Sequence, residues 1–259
     1  MIISFASAKG GVAKTTTCVN LAYALANTSK NYKVLVVDFD TQGGLSHHLS
    51  SVFNKKFTAS ISDVISGNCK FETAIHRYSK NLHIIPANIR LSDFSTKDFS
   101  DEIKKYLITP ARKQYDFIFF DLSPGVYPLS TIPLYYSDVC IIPVLVSGGL
   151  SILGLQSQEE VLVEVEEITG KKIPIIGILA THHENTKVSK QTIDFLETDY
   201  KKLMFKSIIR KNTKISQSAC LGKTIFEHSP KSNASKDYQN FMKEFLKRVS
   251  LFKKNKGKK

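Results

Sequence analysis

No Cys-x-x-Cys pair occurs in this sequence. The four cysteines, Cys18, Cys69, Cys140 and Cys220, lie far apart, which suits neither a disulfide framework nor a zinc or iron–sulfur site; they are expected to be small buried hydrophobes. Long apolar runs are missing too. A bilayer-spanning helix needs about 20 consecutive apolar residues, and no stretch approaches that. Met1 leads straight into Ile2-Ile3-Ser4-Phe5-Ala6 without the pattern of a secretory leader, so a cytoplasmic protein is expected. Apolar content itself is ample, at 42% of 259 residues. That is enough to bury a substantial core, and a single α/β domain is favoured over two small ones.

Acidic charge is scarce in the last third. Residues 170–259 carry 21 Lys/Arg against seven Asp/Glu, a surplus of +14, whereas the whole chain carries +13, leaving −1 before residue 170. Such asymmetry points to a polyanionic partner met by that part of the fold. The candidate contacts are Lys187, Lys190, Lys211, Lys214 and Lys223, with the basic residues after Phe252 as possible additions. Residues 251–259 are expected to form a disordered basic tail beyond a domain spanning 1–250.

The most informative stretch is Ser7-Ala8-Lys9-Gly10-Gly11-Val12-Ala13-Lys14-Thr15-Thr16-Thr17, placed between the first apolar run and the helical pattern Val19–Leu25. A glycine turn between strand and helix lets a phosphate chain approach the backbone. Inward N–H groups and the helix N-terminus hold it there. Gly10, Gly11, Val12, Ala13 and Thr16 would supply that cradle, Lys14 would reach the β/γ-phosphates, and the Thr15 hydroxyl would hold Mg²⁺. The generic phosphate-loop pattern fails, because alanine stands at both of its glycine positions, Ala8 and Ala13.

Two further strand-like runs end in acids: Lys33–Asp38, followed by Phe39-Asp40-Thr41-Gln42-Gly43-Gly44, and Tyr115–Asp121. Parallel α/β sheets place ligands at the carboxyl ends of their strands, so Asp38, Asp40 and Asp121 should face the glycine turn. Asp121 occupies the Walker B position, where a carboxylate binds a water of the Mg²⁺ shell. His47 and His48 are adjacent and so cannot share one helix face as metal ligands; they are expected on the surface or in a switch loop. More strands are expected at Leu82–Ala87, Asp138–Val144 and Ile173–Thr181. Helices are expected around Ser60–Ile65, through Ile103–Leu107, from Gly149 to Ile168 and from Asn233 to Val249. Alternation of this kind implies β-α-β crossovers.

Lys-Gly-Gly-x-x-Lys-Thr-Thr, with Lys9 ahead of the glycines, resembles the ParA/MinD class of deviant Walker ATPases. The Asp38–Gly43 segment resembles the ParA family's Asp-x-Asp-Pro-Gln-Gly, with Thr41 in place of proline. Likewise Ile208–Ser218 resembles a block that packs on the adenine, with Lys211 and Asn212 matching and Arg210 replacing proline. The resemblance runs from residue 2 to about 250. It implies a single-domain α/β P-loop NTPase with a mostly parallel sheet covered by helices on both faces, and a Mg²⁺-dependent ATPase using ATP. It also implies that Lys9 reaches the partner's phosphates in a nucleotide-sandwich dimer, that Asp40 positions or activates the attacking water, and that Asp38 lies near the Mg²⁺ shell. The implied function is DNA partition: an ATP-dependent homodimer on the nucleoid that binds DNA without sequence preference and is stimulated by a centromere-binding, ParB-like protein. With the chain starting at its first strand, operator-specific repression through an N-terminal helix-turn-helix is not expected. The alternative is a MinD-like membrane-recruited positioning ATPase, whose amphipathic last helix would lie on lipid. An iron–sulfur carrier of the same fold class conflicts with the cysteine spacing.

Overall fold

The computed structural model describes residues 1–50, 57–124, 128–148 and 151–257. Gly149 and the last two lysines, which entered the readings above, lie outside the described residues. Seven strands form one sheet: β1 (Ile2–Phe5), β2 (Val34–Phe39), β3 (His76–Arg77), β4 (Leu82–Ile85), β5 (Phe117–Leu122), β6 (Val139–Leu145) and β7 (Ile175–Thr181), in the order β3-β4-β2-β5-β1-β6-β7. Every pairing is parallel except the short β3 against β4.

The central strands are buried on both faces, as expected of a parallel sheet covered twice. Alternate residues divide between two apolar layers. Leu35, Val37 and Phe39 of β2 face one; Val34 and Val36 face the other. The helices are α1 (Lys14–Ala26), α2 (Gly44–His48), α3 (Ile61–Ile65), α4 (Ser100–Glu102), α5 (Thr109–Gln114), α6 (Pro128–Tyr135), α7 (Ser151–Thr169), α8 (Lys187–Asp199), α9 (Thr213–Cys220), α10 (Ile225–His228) and α11 (Asn233–Lys256). Residues of α1 and α11, such as Leu21, Phe241 and Phe245, fill one layer. Those of α3 and α8, such as Val64, Ile193 and Leu196, belong to the other.

Local chemistry explains many of the boundaries. Ser60 and Asp63 cap α3 reciprocally, and Thr224 and Glu227 do the same for α10. The Thr186, Asn212 and Ser232 side chains accept backbone N–H bonds at the starts of α8, α9 and α11. Between α4 and α5 the helix widens into a π-helical segment, Ile103–Ile108. Pro110, which has no N–H to donate, follows it, and the Thr109 hydroxyl donates to the Lys104 carbonyl at 2.8 Å.

Three expectations are corrected. The last helix continues to Lys256, so the disordered tail expected from residue 251 is helical that far. No breaker intervenes before Gly257, Phe252 packs partly on the core, and terminal lysines suit a helix C-terminus. Cys18 and Cys140 are buried as expected, but Cys69 is half-buried and Cys220 exposed. His48 is buried inside α2 rather than on the surface, and burial pushes its pKa down to about 4; His47 is exposed.

The outer edge of β7 is covered by residues 203–210. Ile178 N donates to the Leu203 carbonyl (2.9 Å) and Phe205 N to the Ile178 carbonyl (2.8 Å). From α11, the Glu244 carboxylate accepts from Lys206 N and Ser207 N, both at 2.9 Å. Arg248 donates to the Ile176 and Leu203 carbonyls and stands over the Phe205 ring at 4.1 Å. That ring occupies the space a side chain at Gly177 would need: a Cβ there would fall well inside contact distance. Gly177→Ala is therefore expected to destabilise the fold by about 1–3 kcal/mol in urea unfolding, and adding Phe205→Leu should recover part of the loss. An unchanged midpoint in the single variant would mean the ring moves aside freely.

Candidate functional site

Ala13 adopts φ 64° and Gly11 φ 76°. The Gly11 turn needs no Cβ penalty, whereas Ala13 holds a left-handed conformation that alanine rarely takes, a strain typical of functional loops. The loop then enters α1 at Lys14, which is only 7% exposed. A cavity of about 640 Å³ opens above the carboxyl ends of the strands. Gly10, Gly11 and Ala13–Thr16 line one wall, Asp40 lines part of the floor, and His182, Arg210–Thr213, Cys220 and Tyr238 line the far side. Val12 is buried beneath the loop, where its carbonyl accepts from the Thr181 hydroxyl at 3.1 Å. This bond ties the turn to the end of β7.

Parallel register places Asp38 of β2 directly beside Asp121 of β5. Both are fully buried, and burial raises both pKa values. Asp121's charge adds to the rise at Asp38, while Lys14 and the Thr15 hydroxyl oppose it at Asp121. Their hydrogen bonds differ. Asp38 accepts from Asp40 N (3.0 Å), Ser46 N (2.9 Å) and Ser46 Oγ (2.7 Å), so it fastens the start of α2 to the sheet. Asp121 Oδ2 accepts from Thr15 Oγ1 at 2.6 Å, but its buried Oδ1 has no partner. An orphaned carboxylate oxygen beside a hydroxyl is an oxygen-only donor set suited to Mg²⁺. Thr15 and Asp121 therefore fit that ion, while the bonds on Asp38 give it mainly a positioning part.

The expected residues divide clearly. Lys14, Thr15, Thr16, Asp40, Lys211 and Asn212 meet around the cavity. Lys9 does not line it; its side chain packs against the small Gly154 of α7, in a separate narrow recess that also borders Val12. Lys187, Lys190, Lys214 and Lys223 are exposed on α8, α9 and the turn before α10. Lys211 pairs with Glu184 at 3.0 Å, and the Asn212 side-chain Oδ1 accepts from Lys214 N to cap α9.

Sequence reasoning missed the residues that close the far wall. Tyr238 comes from α11, fully buried. Arg210 forks onto Asp237 through Nε (2.9 Å) and Nη2 (2.6 Å), pinning the 209–212 segment to α11 beside that tyrosine. His182 has φ 54° and a buried Nδ1 without a partner, and burial holds its pKa below the usual histidine range. A lone tyrosine or histidine carries no spacing signal, so only the tertiary structure finds them.

Comparison with known proteins agrees with this geometry. The family model described as "AAA domain" matches residues 1–175. A virulence plasmid ParA family protein of Chlamydia psittaci, pGP5-D, is 30% identical over 251 residues, covering 93% of each chain. The sporulation initiation inhibitor protein Soj of Bacillus subtilis is 28% identical over 249 residues, covering 94% of this chain and 97% of its own. Among solved structures, a plasmid partition protein of Borrelia burgdorferi B31 bound to AMPPNP superposes with a TM-score of 0.81 at 25% identity, covering 95% of this chain and 98% of that one. With its lysine-bearing turn, its paired strand-end acids and these matches, the chain belongs to the ParA family of P-loop ATPases.

Proposed function

We propose that this protein is a DNA partition ATPase that uses ATP and Mg²⁺, closes into a nucleotide-sandwich homodimer, and holds DNA without sequence preference while dimeric. A centromere-binding partner of the ParB kind stimulates its hydrolysis, and the protein works in the cytoplasm on the nucleoid. The observation that carries this reading is the separation of the two lysines: Lys14 is buried at its own cavity, whereas Lys9 stands outside that cavity on the α7 side. A lysine so placed is suited to a neighbouring subunit's phosphates.

Thr15 and Asp121 would hold Mg²⁺, which when bound neutralises phosphate charge. The chain supplies the rest by positioning and electrostatics. The loop N–H groups and Lys14 bind the triphosphate, and Asp40, at the cavity floor, orients the attacking water and accepts its proton. The Asp38–Ser46 bonds hold the Asp40 loop at the right height.

Lys14→Ala is expected to weaken nucleotide binding about 100-fold, measured with a fluorescent ATP analogue. Lys9→Ala should bind that analogue nearly as well as the parent yet fail to dimerise with ATP in light scattering. Equal loss of binding in both variants would confine Lys9 to its own subunit. Asp40→Ala should bind ATP, form a lasting dimer and lose about 100-fold or more in turnover; phosphate release at the parental rate would remove Asp40 from the chemistry.

DNA binding should need ATP and fall steeply with salt, since each neutralised phosphate releases counterions. Charge reversal at Lys187 and Lys214 together should lower affinity for every sequence alike and flatten the log–log salt slope by about two. An unchanged slope, with all binding lost on removing residues 253–259 instead, would move the DNA contact to the end of α11.

A further inference from the structure

At the opposite end of the sheet from the phosphate loop, where the strands begin, lies a second recess of about 440 Å³. It is walled by the end of α6, the π-helical segment and the turn after α7, and it shares no lining residue with the nucleotide cavity. Its cations are Lys104, Arg112, Lys113 and Lys171. Asp138, which is not one of the lining residues, pairs with Arg112 through a fork (3.0 and 3.1 Å) and also accepts from Ile2 N (2.7 Å). Asp98 and Asp101 act on Tyr136 from nearby. Among the described residues, Lys104 and Lys113 have no acid at ion-pair distance.

More positive charge crowds this end. Lys253, on the last turns of α11, bears on the Met1 ammonium together with Asp138 and Asp116, and Lys256 bears on Lys171 together with Asp138. Lys171 is half-buried. Its ammonium donates to the Ser137 carbonyl at 2.9 Å and to the Tyr135 carbonyl, and it stands 5.1 Å from the centre of the Tyr135 ring. An ammonium has three donors, so one is left for a further acceptor. The cations here outnumber Asp98, Asp101, Asp116 and Asp138, and the lysines left without an ion pair suit a counter-anion.

The walls add a second requirement. Tyr135 and Tyr136 are half-buried, with ring centres 4.9 Å apart at 70°. The Tyr136 hydroxyl is tied to the Ser100 carbonyl at 2.9 Å, which fixes that ring in place. Ile108 continues the apolar surface. The π-helical widening carries Lys104 and Ile108 to the same rim, and such widenings recur at functional sites. The volume falls within the range of small-ligand pockets, and the recess is shallow and open to solvent.

We propose that this recess is a second ligand site, taking an aromatic ring that carries a phosphate ester, the chemistry of a mononucleotide. The ring stacks on one tyrosine and meets the other edge-on, while Lys104, Lys113 and the free donor of Lys171 hold the phosphate. A free mononucleotide and an unpaired nucleic-acid end both present that chemistry.

The test uses the full chain with its phosphate-loop cavity filled by AMPPNP and Mg²⁺. Calorimetric titration with adenosine 5′-monophosphate should show one further site. The double variant Lys104→Glu/Lys113→Glu, both positions exposed, should weaken that site about tenfold or more while leaving AMPPNP affinity and the melting temperature unchanged. If the double variant melts early, Tyr135→Leu provides the same reading through the ring. Absence of binding in the filled protein, or equal binding in the folded variant, overturns the proposal. Adenosine binding as tightly as the monophosphate removes the phosphate half, and inorganic phosphate binding as tightly removes the ring half. A 5′-phosphorylated oligothymidylate is titrated in parallel. Tighter binding of it, lost in the double variant, assigns the site to strand ends; weaker binding assigns it to free nucleotide.

Discussion

Asp38 and Asp121 stand side by side on neighbouring parallel strands, both fully buried. Two carboxylates in that position repel one another and lose their hydration, so the surrounding structure is arranged to relieve them. Ser46 supplies two hydrogen bonds to Asp38 and thereby folds α2 back onto the sheet. The same Ser46 hydroxyl accepts from Ala87 N beyond β4, so the relief extends into the next crossover. On the other side Thr15 and Lys14 serve Asp121 from the start of α1. A cation and a nucleotide at this point complete what the protein's own donors begin.

Much of this was legible in the sequence because it rests on local pattern. Strand-end acids, a glycine turn with its lysines and the alternation of apolar runs with helical stretches are properties of short segments. They placed the parallel sheet, the phosphate loop and the Asp38/Asp121 pair at one crevice. What stayed hidden depends on residues far apart in the chain. Arg210, which stands where the family block has proline, is explained by Asp237 in α11, and nothing around residue 210 announces that partner. The burial of His48 likewise depends on how α2 folds back. The continuation of α11 past residue 250 was masked by composition: a lysine-rich run looks like a solvated tail, yet Phe252 still reaches the core and no helix breaker precedes Gly257.

The edge of β7 shows the same dependence on distance. Gly177 looks like an interruption in an apolar strand, and its reason is a phenylalanine 28 positions later that fills the glycine's empty side. Once that ring is seated, Glu244 and Arg248 of α11 fasten the covering segment over the sheet edge, leaving no long open row of backbone groups there for another chain to pair with.

Tyr238 sets a condition on the protein's synthesis. The walls of the nucleotide cavity run from Gly10 to Tyr238, so the glycine turn emerges from the ribosome long before the helix that closes its far side. The nascent chain therefore carries a half-built phosphate site until α11 has been made. ATP can lock the fold only after that helix docks, which makes nucleotide capture a consequence of the closed fold rather than a guide to early folding.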